Sequence, residues 1–251
     1  MNPRRWSGRV VIVPGRLVFL GPGARADRHA HHAVQIALSF AAPIRVTIGA
    51  EPIEREALVI PADVEHELEV VDQTPVALIF VDPEGARGRA LQAEAFRDPE
   101  LGDRLAGIEP PREHATLDEL RAWIERALDR LIPAAPRREP MHAAVQAVLE
   151  LLREPGERPR VPELAASVGI SASRLTHLFG EQVGIPLRGY LLWRRLQRAA
   201  AIVRTGASLT EAAHAAGFAD SAHLSRTFKA HYGIPPSQVL PLLSYAELVD
   251  A

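Results

Sequence analysis

Short apolar runs alternate with turn-forming residues over the first third of the chain. Between about residues 8 and 82 the runs are rich in Val, Ile and Leu, and segments such as PG, GPG, PAD and QTP separate them. Short strands at this spacing are typical of an all-β barrel or sandwich. The clearest runs are RVVIV, RLVFL, HHAVQIALSF, IRVTIG, EALVIP, HELEVV and VALIFV. The pattern predicts a β domain over residues 1–85.

The periodicity becomes helical over residues 86–132. Thr116 and Glu119 have the spacing of a capping box, which marks the start of a helix. The apolar residues that follow recur at helical spacing and form one stripe: Leu117, Leu120, Ile124, Leu128 and Leu131. Such a stripe has two possible partners, its own β domain or the same helix of a second copy. The second alternative predicts a homodimer.

A proline-rich segment, PAAPRREP at residues 133–140, has the composition of a linker. Residues 141–243 after it are helical with short turns, and one design occurs there twice. The first copy is VPELAASVGISASRLTHLFGEQVG, in which Gly169 ends a short helix and Ser171 is placed to cap the next one. The second is SLTEAAHAAGFADSAHLSRTFKAHYG, with Gly217 and Asp220 in these roles.

In the second helix of each copy, apolar and polar positions lie on opposite faces. Leu175, Leu178 and Phe179 share the inner face of the first, and Leu224 and Phe228 share that of the second. The opposite faces are small, polar or basic. They carry Ser173, Arg174, Thr176 and His177 in the first copy, and Ala222, Ser225, Arg226 and Lys229 in the second. A helix, a glycine turn and a second helix with a polar outer face form the helix-turn-helix design.

Composition excludes several kinds of site and segment. The chain has no cysteine, so it forms neither disulfides nor Cys-ligated zinc sites, which agrees with a reducing cytoplasm. It has neither a signal-peptide-like start nor an apolar run long enough to span a membrane. The formal net charge is only −2. DNA binding must therefore be argued from local faces rather than from overall charge.

The paired units, the long connecting helix predicted at 187–206 and the terminal stretch AAHAAGFADSAHLSRTFKAHYGIPPSQ resemble the AraC/XylS-type transcription regulators. The resemblance covers about residues 141–241. It implies a rigid helix that holds two recognition helices apart, so that one protomer contacts two adjacent major grooves of double-stranded DNA at a promoter operator. It also favours a dimer.

Candidate DNA contacts follow from side-chain chemistry and from the resemblance. Arg226 has a planar fork suited to guanine O6 and N7, whereas Lys229, the single lysine of the chain, suits a phosphate. The resemblance assigns DNA contacts to Thr176 and His177 in the first unit and to Ser221 and Ala222 in the second. Ser173, Arg174 and Ser225 complete the predicted surface.

Three histidines occur within four residues of the predicted β domain. On a strand, His29, His31 and Gln35 share one side, together with the small residues Ala33 and Ala37. With His66, these positions resemble the two half-motifs of a cupin barrel. That resemblance implies four ligand positions, although Gln35 stands where a glutamate is usual and Asp63 where a glycine is usual.

Three interpretations of this cluster stay open. It holds a divalent transition metal, since three neutral imidazoles suit zinc, nickel, copper or iron. Alternatively it lines a metal-free pocket for a small-molecule effector, or its members are ordinary structural histidines. A metal-dependent cupin enzyme, for example a dioxygenase or isomerase, is the rival function. Fusion to a DNA-binding domain favours a sensor that is not an enzyme.

The sequence thus predicts an α+β multidomain protein. Its N-terminal cupin-like β-barrel with a helical extension precedes an all-α domain with two helix-turn-helix units.

Overall fold

The computed structural model describes residues 6–13, 16–83, 86–132, 141–153, 159–183, 186–232 and 235–246. The predicted linker at 133–140 lies outside these ranges. Within them, every helix is too short or too polar to span a bilayer.

The N-terminal part is a β domain of two sheets. Its strands are β1 (Arg9–Val13), β2 (Arg16–Pro22), β3 (Arg25–His29), β4 (Val34–Ser39), β5 (Ile44–Ile48), β6 (Glu51–Arg55), β7 (Ala57–Ile60), β8 (His66–Glu69) and β9 (Pro75–Val81). The six-stranded sheet has the order β10-β1-β2-β9-β4-β7, in which β10 is Leu243–Ala246, and the four-stranded sheet has the order β3-β8-β5-β6. The sequence pattern did not indicate β3, β6 or β10, which are short or rich in charged residues.

The two sheets enclose one apolar core. Leu17, Phe19 and Leu78 of the six-stranded sheet are buried in the same cluster as Val46 and Leu68 of the four-stranded sheet. On β8 the alternation is regular, since His66 and Leu68 are buried whereas Glu67 and Glu69 are half-buried. Because alternate residues of a strand face opposite sides, this pattern turns one face of each sheet inward.

Two helices cover the other face of the six-stranded sheet. They are α1 (Ala86–Arg97) and α2 (Leu117–Leu131). The predicted Thr116/Glu119 capping box is present at the start of α2. The stripe of α2 is buried with Val18, Ile36 and Ile79 of the sheet, each side chain contributing about 1.5–3 kcal/mol. The first of the two predicted alternatives is therefore observed, and this stripe is not available as a dimer interface.

The C-terminal part is helical. It contains α3 (Ala143–Arg153), α4 (Val161–Ser167), α5 (Ala172–Val183), α6 (Leu187–Arg204), α7 (Leu209–Ala216), α8 (Ser221–Tyr232) and the short α9 (Pro236–Val239). The long helix α6 connects the two predicted units. Gly169 and Gly217, at the ends of α4 and α7, have φ values of 70° and 93°. This left-handed conformation favours glycine and produces the sharp turn between the helices of each unit.

The chain returns to the β domain after α9. β10 pairs in parallel with β1, so residues near the C-terminal end complete the edge of the N-terminal sheet. The helical part also approaches the β domain at α6, where a Cβ atom on Gly189 would lie 2.4 Å from the His32 ring. Glycine at this position therefore permits close packing of α6 on the β domain.

Candidate DNA-binding surface and histidine pocket

The two helix-turn-helix units repeat the same local construction. The hydroxyl oxygen of Ser171 accepts a hydrogen bond from the Arg174 amide at 3.2 Å, and an Asp220 carboxylate oxygen accepts one from the His223 amide at 2.6 Å. Four and eight residues after these caps come the buried pairs, Leu175 with Phe179 and Leu224 with Phe228. The two second helices, α5 and α8, are therefore built in the same register.

The register brings equivalent side chains to the outer faces. Thr176 is equivalent to Ser225, and His177 is equivalent to Arg226. On α5 the predicted contact residues Ser173, Arg174, Thr176 and His177 are all exposed. On α8 Ala222, Arg226 and Lys229 are exposed, whereas Ser221 and Ser225 are half-buried.

Another arginine of the helical part has a structural role. Arg195 of α6 donates hydrogen bonds to the carbonyl oxygens of Ala216 and Gly217, at the end of α7. Its guanidinium also lies 4.3 Å from the centre of the buried Phe218 ring. These contacts fix the second unit on α6, so Arg195 is placed to position the unit.

Helix α8 also contacts the β domain, which the sequence did not predict. It packs against β3, and Lys229 Nζ lies 2.9 Å from a carboxylate oxygen of Asp27. This hydrogen-bonded ammonium lowers the pKa of Asp27. Ser225, Arg226 and Lys229 line a groove together with Asp27 and Arg28 of the β domain. The predicted phosphate contact is thus paired with an acidic group of its own chain in this conformation.

A second contact lies at the end of α8. The His231 ring centre is 5.5 Å from that of His32, which pairs with the Asp63 carboxylate. Burial, followed by the neighbouring His32, lowers the pKa of His231. His32 is therefore part of the contact between the β domain and α8.

The three predicted pocket histidines lie together inside the β domain. His29 ends β3, His31 lies in the turn before β4, and His66 begins β8. Their ring centres are 4.4 to 5.5 Å apart, and one ring nitrogen from each lies within 4.8 Å of the others. All three side chains are buried, as is Gln35 on β4.

Burial keeps these histidines neutral. Loss of hydration, with a smaller contribution from a neighbouring histidine, lowers the pKa of His29 to about 4, that of His31 to about 3 and that of His66 to about 4. Since a buried imidazolium without a counter-charge is costly, neutral rings are the form at pH 7.

Backbone carbonyls select the tautomer of each ring. The Nδ1 atoms lie 2.7 Å from Asp27 O for His29, 2.9 Å from Ala33 O for His31 and 2.9 Å from Val64 O for His66. A carbonyl only accepts, so each Nδ1 carries the proton and each Nε2 keeps a lone pair. Carbonyl partners of this kind also orient histidines that bind metals.

Gln35 closes the cluster. Its side-chain Oε1 lies 2.8 Å from His31 Nε2 and 3.1 Å from His66 Nε2. The tautomers place nitrogen lone pairs against this amide. If the amide NH₂ group faces the rings, it donates a hydrogen bond to each of the two Nε2 lone pairs. If the amide oxygen faces them, a cation is required between the oxygen and the two nitrogens. The donor set therefore fits either a metal-free pocket or a transition metal held by three imidazoles and an amide oxygen.

The sequence missed three residues that belong to these surfaces. Asp27 pairs with Lys229, Trp6 lies beside the histidine cluster, and Phe228 reaches from α8 into the β domain. The helical periodicity did place Phe228 on the inner face of a helix. The helical pattern carried no information about which domain that face would meet.

Comparison with known proteins identifies the C-terminal part. Residues 164–241 match a family model described as a helix-turn-helix domain. Over 94 residues, or 37% of this chain, the sequence is 31% identical to the HTH-type transcriptional regulator GbdR of Pseudomonas aeruginosa strain UCBPP-PA14. The matched region spans 26% of the length of GbdR. The C-terminal part is therefore similar to the helix-turn-helix domain of a transcriptional regulator.

The fold is shared over nearly the whole chain. ToxT from Vibrio cholerae has a similar structure over 92% of this chain and 99% of its own, with a TM-score of 0.55 and 12% identity. ToxT with a bound unsaturated fatty acid, from strain SCE256, gives a TM-score of 0.54 at 12% identity, over 92% and 97% of the two chains. At this identity the similarity concerns the fold. The resemblance is thus borne out for the helix-turn-helix domain of a transcriptional regulator, and the whole chain shares its fold with ToxT.

Proposed function

We propose that this chain is a sequence-specific DNA-binding transcription regulator whose β domain senses a small molecule or a metal ion. The observation that carries the proposal is the repeated unit, in which α5 and α8 have the same register and present polar outer faces. Helices of this kind enter the major groove, and two units on one rigid connection match two grooves on one side of the duplex. Such a regulator acts on a promoter operator in the cytoplasm.

The outer faces supply both kinds of DNA contact. Arg226, with an exposed planar fork, suits a guanine edge, and His177 occupies the equivalent position in the first unit. Ser173, Arg174, Thr176, Ser221 and Ser225 offer hydrogen bonds to bases or phosphates, and Ala222 offers an apolar contact to a thymine methyl. Lys229 reaches a phosphate once its pairing with Asp27 is broken.

The experiment is selection of bound sequences from a random duplex library by the purified full chain. We expect enrichment of two motifs separated by about one helical turn, 10–10.5 base pairs. His177→Ala should relax one motif and Arg226→Ala the other. A chain that enriches no sequence in the presence of excess nonspecific DNA would contradict the proposal.

A divalent transition metal is the second candidate ligand of the β domain. His29, His31 and His66 would hold it through Nε2, with Gln35 as a weak neutral fourth ligand. A bound metal would supply a positive charge, toward which Gln35 would present its side-chain oxygen instead of its NH₂ group.

The test of the metal is calorimetric titration of chelator-treated protein with zinc. Gln35→Glu should bind zinc more tightly than wild type, since it adds a negative oxygen ligand, and His31→Ala should abolish binding. DNA affinity without metal should be unchanged in His31→Ala. No zinc binding by either wild type or Gln35→Glu leaves the organic effector as the sensed ligand.

A homodimer remains part of the proposal. Its interface must use a surface other than the α2 stripe, because that stripe is buried within the chain. Sedimentation at micromolar concentration tests it, and a monomer at every concentration would exclude it.

A further inference from the structure

An apolar cavity beside the histidine cluster is closed by a residue of the DNA-recognition helix. The cavity is about 40 Å³ and lies between the sheets of the β domain. Phe19, Leu78 and Phe80 of the six-stranded sheet line it, and Phe228 of α8 forms another part of its wall. One side chain therefore belongs both to the inner face of the second helix-turn-helix unit and to this cavity.

One polar group of the cavity wall, the indole N–H of Trp6, is placed to bind a ligand. Trp6 lines it with its side chain almost fully buried, and the ring packs edge-on against Phe19 with 5.0 Å between centres. Among the residues that the structure describes, the indole Nε1–H of Trp6 has no hydrogen-bond partner. A buried donor left without an acceptor costs about 1–3 kcal/mol, so a ligand oxygen that accepts from it gains stabilisation.

The wall also limits the charge of a ligand. His29 and Gln35 are the other polar residues of the lining, and no lysine or arginine belongs to the part of the lining that the structure describes. An anion buried there would lack a counter-charge, which is costly in an apolar site. The lining therefore suits a neutral molecule with an apolar body and one hydrogen-bond acceptor.

The cavity is too small for an organic effector unless part of its wall moves, and α8 is the part that can move. A space of about 40 Å³ holds about three water molecules at most, and a six-membered ring with a substituent is larger. Apart from the edge strand β3, the strands that line the cavity are hydrogen-bonded to neighbours on both sides, whereas α8 is held against β3 by side-chain packing and by the Lys229–Asp27 pair. An exposed ion pair contributes only about 0–1 kcal/mol. Phe228, with its helix, is the part of the wall that moves at least cost.

We propose that this cavity binds a neutral, mainly apolar effector whose oxygen accepts a hydrogen bond from Trp6, and that the ligand displaces Phe228 and separates Lys229 from Asp27. The inference rests on the proposed function for its regulatory meaning. A ligand shifts α8 only by binding the displaced arrangement better than the docked one. Lys229 would thereby become available to a DNA phosphate.

The ligand class is tested with three probes of similar size: acetophenone, ethylbenzene and benzoate. Binding is followed by the indole N–H signals of ¹⁵N-labelled full chain, with Trp6→Phe assigning the Trp6 signal among the three tryptophans. We expect acetophenone to shift the Trp6 signal and to bind about two- to tenfold more tightly than ethylbenzene, with benzoate weakest. Trp6→Phe, which keeps an aromatic ring, should lose the preference for acetophenone over ethylbenzene. Equal affinities in wild type, or a preference that survives in Trp6→Phe, would overturn the assignment.

The role of Phe228 is tested by enlarging the cavity. Phe228→Ala and the milder Phe228→Leu should bind acetophenone several-fold more tightly, because less wall must be displaced. Leu175→Ala is the matched control, since Leu175 is the equivalent buried leucine of the first unit and does not line the cavity. Unchanged affinity in Phe228→Leu, or the same gain in Leu175→Ala, would refute the shared wall.

Movement of α8 is measured directly. The chain has no cysteine, so Arg28→Cys with Ala230→Cys introduces two labelling sites on opposite sides of the groove. Spin labels there should move apart when acetophenone saturates the protein, and an unchanged distance would contradict displacement. None of these measurements uses DNA. A failure to bind DNA would therefore refute the proposed function and leave the cavity results standing. A failure to bind the probes would refute the cavity proposal and leave the proposed function standing.

Discussion

The two helix-turn-helix units share one local design but have different surroundings. The first unit has a core of its own, to which the β domain contributes Ala62 among the described residues. The core of the second is continuous with that of the β domain, and Leu224 and Phe228 belong to the same cluster as Phe19 and Phe80. The comparison shows that the helical register determines which side chains α5 and α8 present on a face. Tertiary contacts then determine whether that face is covered by the β domain.

The outer faces differ in the same way. On α5, the His177 side chain is 74% exposed and its charged neighbour, Glu181 at 3.3 Å, is on its own helix. On α8, Lys229 is paired with Asp27 of the other domain. The first unit is therefore presented for DNA in this conformation, whereas the second is partly engaged by the β domain. This asymmetry gives an effector one unit to act on.

The largest expected effect comes from deleting the equivalent core leucines. Leu175→Ala and Leu224→Ala should each lower the free energy of unfolding by about 2–5 kcal/mol, because both side chains are fully buried. Amide exchange should then rise only in the helical part for Leu175→Ala, but also in β3 for Leu224→Ala. The two variants are controls for each other. If β3 keeps its protection in Leu224→Ala, the second unit is not coupled to the β domain.

Next in size is the loss of a base contact. Arg226→Ala should weaken binding to the selected DNA by about 1–3 kcal/mol and relax base preference at one position. Arg204→Ala, which removes an exposed arginine at the end of α6, should leave binding unchanged. Both are measured by fluorescence anisotropy with the selected duplex and a mismatched one. Arg226→Ala with wild-type affinity would disprove groove docking by α8.

The smallest effect concerns the ion pair between the domains. Asp27→Asn should release Lys229 and raise DNA affinity by up to about fivefold, since an exposed pair contributes at most about 1 kcal/mol. The salt dependence of DNA binding should be steeper for Asp27→Asn than for wild type, because one phosphate contact is gained. It should be flatter for Lys229→Ala, because one phosphate contact is lost. Glu65→Gln is the control, because Glu65 pairs with Arg28 and not with α8. Identical affinities for Asp27→Asn and Glu65→Gln would show that the pair does not hold α8.

The sequence predicted the features that depend on neighbouring residues. The caps at Thr116, Ser171 and Asp220, the left-handed turns at Gly169 and Gly217 and the inner faces of α5 and α8 all follow from short-range chemistry. The membership of the histidine cluster was predicted, with His66 supplied by the cupin resemblance, but shared parity on one strand was the wrong reason. His29 ends β3, Gln35 lies on β4 and His31 lies between the two strands, so the fold rather than strand alternation brings them together.

Contacts between distant segments could not be predicted in this way. The stripe of α2 has the same pattern whether it meets a sheet or a second copy, and only the fold selects the sheet. Pairing of β10 with β1 joins residues more than 200 positions apart. Phe228 likewise has the pattern of an ordinary helix-core residue, although it lines a cavity of another domain.

The most direct test of the central claim is hydroxyl-radical footprinting of the full chain on its selected duplex. The account predicts two protected windows on one side of the duplex, separated by about one helical turn. The window of the second unit should strengthen relative to the first in Asp27→Asn, because α8 is then released from the β domain. A single window, or two windows whose ratio is the same in Asp27→Asn and wild type, would contradict the account of two equivalent units of which one is held by the β domain.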